Sequence, residues 1–137
     1  MSASIHGVFP VLPTPFDEQG APDEAALRVL VRYLLRCGVD GVTYPGVASE
    51  VGQLAHDERV RLTSVVLDEV AGRRPVIAGA SSGDARTTIE RALAAAHGGA
   101  AAVMIAAPAE RPGLDGQIEF FAAVAAGTCA GRGGSYS

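Results

Sequence analysis

Residues 75–107, PVIAGASSGDARTTIERALAAAHGGAAAVMIAA, carry the pattern that decides the fold class. The stretch begins with an apolar run at 75–80 and ends with another at 101–107, and each run has the length and composition of a buried strand. Between them, Asp84 is a helix N-cap and Gly98 is a helix stop, so the middle of the stretch is predicted to be a helix. Two buried strands joined by a helix are typical of a parallel sheet.

The same alternation extends toward the N-terminus. A helix is predicted at 56–70, after a short apolar strand at 41–44. Before that strand, the acidic residues at 23–24 favour the start of an earlier helix, which Gly38 ends. This helix carries an apolar stripe at helical spacing, formed by Leu27, Leu30, Val31, Leu34 and Leu35. A first strand is predicted at 7–12.

Toward the C-terminus, the sequence predicts one more helix at 114–126. Its expected inner face consists of Ile118, Phe121, Ala122 and Ala125. The last stretch, 127–137, is rich in glycine and serine and has no apolar periodicity, so it is expected to be a disordered tail. Residues 1–126 are thus predicted to be one α/β domain of about four βα units, with a parallel sheet covered by helices.

Composition and charge argue against several classes of function. The 137 residues have a formal net charge of −4 and no basic stripe, so no nucleic acid partner is expected. No apolar run approaches the roughly 20 residues that span a bilayer, so no membrane contact is expected either, and the N-terminus does not resemble a signal peptide. Two cysteines are too few for a disulfide framework, which favours a reducing, cytoplasmic location. Cys37 is expected to be a small buried residue.

The titratable residues predict no metal or cofactor site. His6, His56 and His97 lie on separate segments without the spacing of metal ligands. The chain has no lysine, and the 11 residues counted as lysine or arginine are all arginine. Arginine stays protonated at ordinary pH and cannot act as an amine nucleophile, so no side chain of this polypeptide can form a Schiff base.

Four short motifs, in this order, resemble those of the dihydrodipicolinate synthase / N-acetylneuraminate lyase family. They are TPF at 14–16, CGVDG at 37–41, GVASE at 46–50 and PVIAG at 75–79. The fourth predicted strand follows at a compatible spacing, so the resemblance extends over most of the chain, to about residue 126. It implies that the four βα units are the N-terminal half of a (β/α)8 TIM barrel.

The resemblance also implies a chemistry. Members of the family are class I aldolases and dehydratases that act on pyruvate or related 2-keto acids through a Schiff base. Their glycine-threonine loop holds the carboxylate of the keto acid with backbone N–H groups and hydroxyls. In this chain the expected substrate-binding residues are therefore Gly46, Val47, Ala48, Ser49 and Glu50. Since Val47 and Ala48 replace both hydroxyl residues, only backbone N–H groups and the Ser49 hydroxyl remain to hold the anion.

In that family the catalytic tyrosine belongs to strand five and the Schiff-base lysine to strand six. Neither strand is expected in this chain, since a complete barrel needs about 250 residues. A frameshift, a premature stop or a misjudged gene end would account for the difference. The chain is therefore expected to be a lyase by descent that is inactive alone, without a catalytic residue, cofactor or metal of its own.

Two alternatives remain open. Residues 79–83 match the G-x-S-x-G nucleophile elbow, although the only later histidine, His97, lies at the end of the helix that the elbow would begin. The other alternative is a non-catalytic half-barrel assembly or interaction protein. The first and fourth strands would leave unpaired edges beside apolar side chains, so self-association through open sheet edges is expected.

Overall fold

The computed structural model describes residues 4–129. In it, three parallel strands form a sheet in which they lie side by side in chain order. The strands are β1 (Val42–Tyr44), β2 (Val76–Gly79) and β3 (Ala102–Met104). Their register pairs β1 with β2 through Thr43 and Ile77, and β2 with β3 through Ile77 and Ala102. The parallel sheet predicted from the apolar runs is confirmed, with strands shorter than those runs.

The segment predicted as the first strand lies beside β1 and runs parallel to it. Val11 bridges to Thr43, and the Leu12 N–H donates to the Thr43 carbonyl at 3.0 Å. This N-terminal segment, residues 8–12, does not form a regular ladder, because Pro10 has no N–H and the Val8 N–H donates to an Asp40 carboxylate oxygen at 2.7 Å. The predicted position of this segment beside β1 is confirmed, but the prediction that it forms a regular strand is wrong.

Four helices follow the strands and cover the outer side of the sheet. They are α1 (Glu24–Arg36), α2 (His56–Val70), α3 (Ala85–His97) and α4 (Leu114–Cys129). Asp23 caps α1 through the Ala26 N–H at 2.9 Å, and Asp84 caps α3 through the Thr87 N–H at 2.8 Å. These contacts satisfy donors that a helix leaves unpaired at its start, which is why the local sequence predicts both helix starts correctly.

The prediction for α4 needs two corrections. The helix continues to Cys129, so the first residues of the predicted tail are helical, and residues 130–137 lie outside the described part of the chain. Its buried residues are Phe120 and Val124, whereas Ile118 and Phe121 of the predicted inner face are 56% and 39% exposed. Because apolar residues occur all around α4, periodicity cannot choose the face that packs on α3.

The main core lies between the sheet and the first two helices. It consists of buried side chains that include Leu12, Leu27, Val31, Val42, Tyr44, Leu62, Val66 and Val70. Ion pairs join α1 to α2, among them those from Arg28 to Asp68 at 2.7 Å and from Arg32 to Glu69 at 2.9 Å. Cys37 is exposed at the end of α1, so the prediction that it is buried is wrong.

The arrangement is that of a partial TIM barrel with four βα units, counting the N-terminal segment as the first strand. No helix within residues 4–129 is both long and apolar enough to cross a membrane.

Candidate functional site

The predicted substrate-binding loop lies at the carboxyl end of β1. The Tyr44–Pro45 peptide bond is cis, and two short 3₁₀ turns follow at Val47–Ser49 and Val51–Gln53. Gly46 is buried against the N-terminal segment, since a methyl group added to it would lie 2.7 Å from Val11 Cγ1. The carboxyl ends of parallel strands are where barrel and open-sheet enzymes place their sites.

A buried network of hydroxyl groups holds this loop. The Thr14 hydroxyl donates to the Ser49 carbonyl at 2.7 Å and therefore accepts from the Tyr44 phenol, 2.8 Å away. The Gly46 N–H donates to the Ser49 hydroxyl at 2.9 Å, and that hydroxyl donates to the Leu12 carbonyl. The loop is thus tied to the N-terminal segment by side chains that are at most 5% exposed.

The Ser49 hydroxyl, which the sequence leaves as a donor for an anion, is engaged inside the fold. The residue has no exposed surface, and its hydroxyl both accepts and donates a hydrogen bond within the fold. Thr14 was noticed in the sequence as part of a turn motif, but its link to Tyr44 and Ser49 was missed. The sequence does place a threonine, a tyrosine and a serine at or just after the ends of predicted buried strands. Because buried hydroxyl groups need hydrogen-bond partners, this placement could have indicated that the three side chains bond to one another or to nearby backbone.

Burial raises the pKa of the Tyr44 phenol, although the hydrogen bond with Thr14 acts in the opposite direction. The phenol therefore stays protonated at neutral pH and serves as a donor inside the core. Tyr44 has no exposed surface, so it does not reach a ligand at the loop. Its role in the structure is to pack and to orient Thr14.

Val47 and Ala48 form the accessible part of the loop. Val47 is 92% exposed and Ala48 is also exposed. Within residues 4–129, the N–H groups of both residues donate to no acceptor.

Glu50 has a positive φ of 57°, and its N–H donates to the Val47 carbonyl, which closes the first 3₁₀ turn. A carboxylate side chain would repel a bound carboxylate, so we assign Glu50 to the turn.

The nucleophile elbow at 79–83 gains no support from the geometry. The Ser81 hydroxyl accepts from the Ala106 N–H at 2.9 Å and so links the loops after β2 and β3. His97 lies at the opposite end of α3, on the order of 20 Å along a helix of this length. In the part of the chain that the structure describes, no group of three or more His, Cys, Asp or Glu residues could hold a metal ion.

The hydroxyl network makes a prediction about stability. Replacing Ser49 with alanine leaves the Gly46 N–H and the Leu12 carbonyl buried without their partner, so we expect a loss of about 1–3 kcal/mol. Ser64→Ala is the matched control, because Ser64 is exposed on α2, and its effect should stay within about 0.5 kcal/mol. Urea denaturation followed by circular dichroism measures both, and equal midpoints for the two variants would contradict the network.

Comparisons with known proteins agree on one family. The model of the dihydrodipicolinate synthetase family matches residues 4–130. The 4-hydroxy-tetrahydrodipicolinate synthase of Brucella abortus is 39% identical over 122 residues, which cover 88% of this chain and 42% of that protein. The synthase of the same name from Thermus thermophilus is 41% identical over 122 residues, covering 88% and 40%.

A solved structure gives the same answer for the fold. YagE, a prophage protein of the dihydrodipicolinic acid synthase family from E. coli K12, was crystallised in complex with pyruvate. It superposes with a TM-score of 0.85 at 30% identity, covering 91% of this chain and 42% of YagE. The chain thus spans about two fifths of the length of the relatives that it matches. Because the family model matches all of the described residues, the chain belongs to the dihydrodipicolinate synthetase family.

Proposed function

We propose that this chain supplies the carboxylate-binding part of a lyase that acts on pyruvate or a related 2-keto acid, and that it does not perform the covalent step itself. The observation that carries the proposal is the loop at 46–50, which lies at the carboxyl end of β1 and presents the free N–H groups of Val47 and Ala48. Family membership and the pyruvate bound to YagE support a keto acid as the ligand.

The residues of the loop make binding weak. A threonine hydroxyl at position 47 or 48 would add a charge-assisted hydrogen bond to a carboxylate, and such bonds contribute more than neutral ones. Valine and alanine add none, and the Ser49 hydroxyl is already engaged inside the fold. Two backbone N–H groups are then left to bind the anion in competition with water.

The covalent step requires an amine that this chain does not contain. A Schiff base forms between a keto acid and a deprotonated lysine amine. All 11 basic residues are arginine, whose guanidinium stays protonated. The loop can therefore bind and orient a carboxylate, while the amine would have to come from another polypeptide or another part of a longer one.

Titration of the ¹⁵N-labelled chain with pyruvate tests the carboxylate-binding role. We expect the amide signals of Val47 and Ala48 to shift with millimolar affinity, and methyl pyruvate, which lacks the carboxylate, to leave them in place. The double variant V47T/A48T should bind about tenfold more tightly, because each added hydroxyl contributes about 0.5–1.5 kcal/mol.

Val29→Thr is the matched control, since Val29 is an exposed valine on α1 and its replacement should not change pyruvate binding. Two outcomes would contradict the proposal. One is the absence of any shift at residues 47 and 48 in both proteins. The other is micromolar binding by the unmodified chain, about −8 kcal/mol, which is too strong for a loop without side-chain donors.

A further inference from the structure

An open cleft lies between α1 and α2, beside the C-terminal ends of both helices. Its volume is about 700 Å³, which is within the range of sites for small molecules. The residues that line it are Val29, Arg32, Leu35, Arg36, Arg73 and Arg74. Four of these six side chains are arginines, so the fold gathers positive charge at one place in a chain whose formal net charge is −4.

Both walls of this cleft are formed by helices that are neighbours in the chain and in space. Arg32 lines the cleft and also pairs with Glu69, so the flank of α1 that borders the cleft is the flank that faces α2. In a βα barrel, helices that follow α4 lie beside α4 and beside the opposite flank of α1. The cleft therefore does not depend on how far the chain extends.

Ion pairs neutralise only part of the positive charge. Two arginines of α1, Arg28 and Arg32, pair with Asp68 and Glu69 of α2, so two positive and two negative charges balance one another. The other three arginines of the cleft form no ion pair within residues 4–129. The C-terminus of a helix carries roughly half a negative charge. The two helix ends therefore offset about one of these arginines, and about two positive charges remain.

The guanidinium groups of these three arginines keep N–H donors for a ligand. Arg73 donates from Nε to the Val70 carbonyl at 3.0 Å and from Nη2 to the Glu69 carbonyl at 2.6 Å, which fixes it to the end of α2 and leaves Nη1 available. Arg36 and Arg74 are exposed, and their side chains donate to no acceptor in the described part of the chain. A guanidinium presents paired N–H groups in one plane, which match two oxygens of a phosphate.

We propose that this cleft binds the phosphate group of a small organic molecule. A phosphate monoester carries roughly 1.5 to 2 negative charges at pH 7, which matches the two positive charges left over, whereas a single carboxylate carries one. Val29, which is 57% exposed, and Leu35 provide an apolar wall for the organic part. The length of α2, about 20 Å, separates the cleft from the loop at 46–50, so the two sites are distinct.

Titration of the ¹⁵N-labelled chain with phenyl phosphate at constant ionic strength tests this site. We expect the amide signals of residues 36–38 and 72–74 to shift and to reach saturation. Inorganic phosphate should shift the same signals with an affinity about threefold lower or more, because it lacks an apolar group that packs on Val29. Equal affinities would assign the cleft to free phosphate and overturn the organic ligand. Shifts confined to the loop at 46–50 would overturn the site itself.

Two charge-matched variants separate this cleft from the charge of the whole chain. R36Q/R74Q should weaken phenyl phosphate binding about tenfold or more, because hydrogen bonds between charged groups are the strong ones. R86Q/R111Q is the control, since it removes two exposed arginines outside the cleft, and its affinity should stay within about twofold. Circular dichroism should show that both variants are folded. Equal losses in the two variants, no saturable binding by the unmodified chain, or displacement of phenyl phosphate by a more tightly bound short RNA would overturn the proposal.

Discussion

Replacing Gly79 with alanine is expected to destabilise the chain by about 3 kcal/mol or more, at or beyond the upper end of ordinary overpacking. A methyl group at this position of β2 would lie 1.8 Å from the Pro45 carbonyl oxygen and 3.0 Å from its carbonyl carbon. Both are backbone atoms of the adjacent chain segment, so no side chain can rotate away and the backbone itself must move. Since small domains have only about 5–15 kcal/mol of stability, this one methyl group removes a large part of it.

Gly52→Ala is the control for this substitution. Nothing lies within 4 Å of a methyl group at Gly52, and its φ is not in the left-handed region. Its replacement should be neutral or stabilise the chain by up to about 1 kcal/mol, because alanine reduces the freedom of the unfolded chain. Urea denaturation followed by circular dichroism measures both variants. If G79A unfolded at the same urea concentration as G52A, the close approach of β2 to Pro45 would be wrong.

Incubation with pyruvate and borohydride is expected to leave every internal peptide unmodified. Borohydride traps a Schiff base by reducing it to a stable amine, and the side chains of this polypeptide offer no amine. The α-amino group at the N-terminus is the one amine that remains, so any adduct is expected only at the N-terminal peptide. Mass spectrometry of the intact chain and of its peptides separates the two cases.

We expect the internal peptides to carry essentially no adduct, so even a modest internal adduct would be easy to detect. A lysine-containing protein treated in parallel shows that the reduction works. A stoichiometric adduct on an internal peptide of this chain would contradict the assignment of the covalent step to an amine outside it. The result is independent of the loop at 46–50, since weak pyruvate binding without an amine leaves the mass unchanged.

Local features of the sequence predicted the helices well. Asp23 and Asp84 cap α1 and α3 as expected, and α2 has the predicted bounds. Glu58 also bonds to the Ala55 N–H at 2.8 Å, as half of a capping box. These features depend on residues within one helical turn, so each can be recognised without knowledge of the rest of the chain.

Features that depend on distant residues were predicted less well. The buried face of α4 was wrong because α3 decides which of its apolar sides is covered. Cys37 was expected inside because cysteine is a small hydrophobic residue, yet it lies exposed where α1 ends. The motif at 46–50 lies after β1, and its binding role stays a prediction. The engagement of Ser49 with Leu12 and Gly46 could not be seen in the sequence.

The sequence by itself determined the order of strands and helices, the parallel sheet, the family and the absence of a Schiff-base amine. Those properties follow from periodicity, caps and motifs, which involve residues close together in the sequence, and from composition, which needs only a count of residues. Only the tertiary structure decided which hydroxyls are available at the loop, which glycines have no room for a methyl group and which face of α4 packs on α3. These depend on contacts between residues 30 or more positions apart, such as Thr14 with Tyr44 and Ser49. Such contacts exist only once the strands have paired and the helices have packed on them.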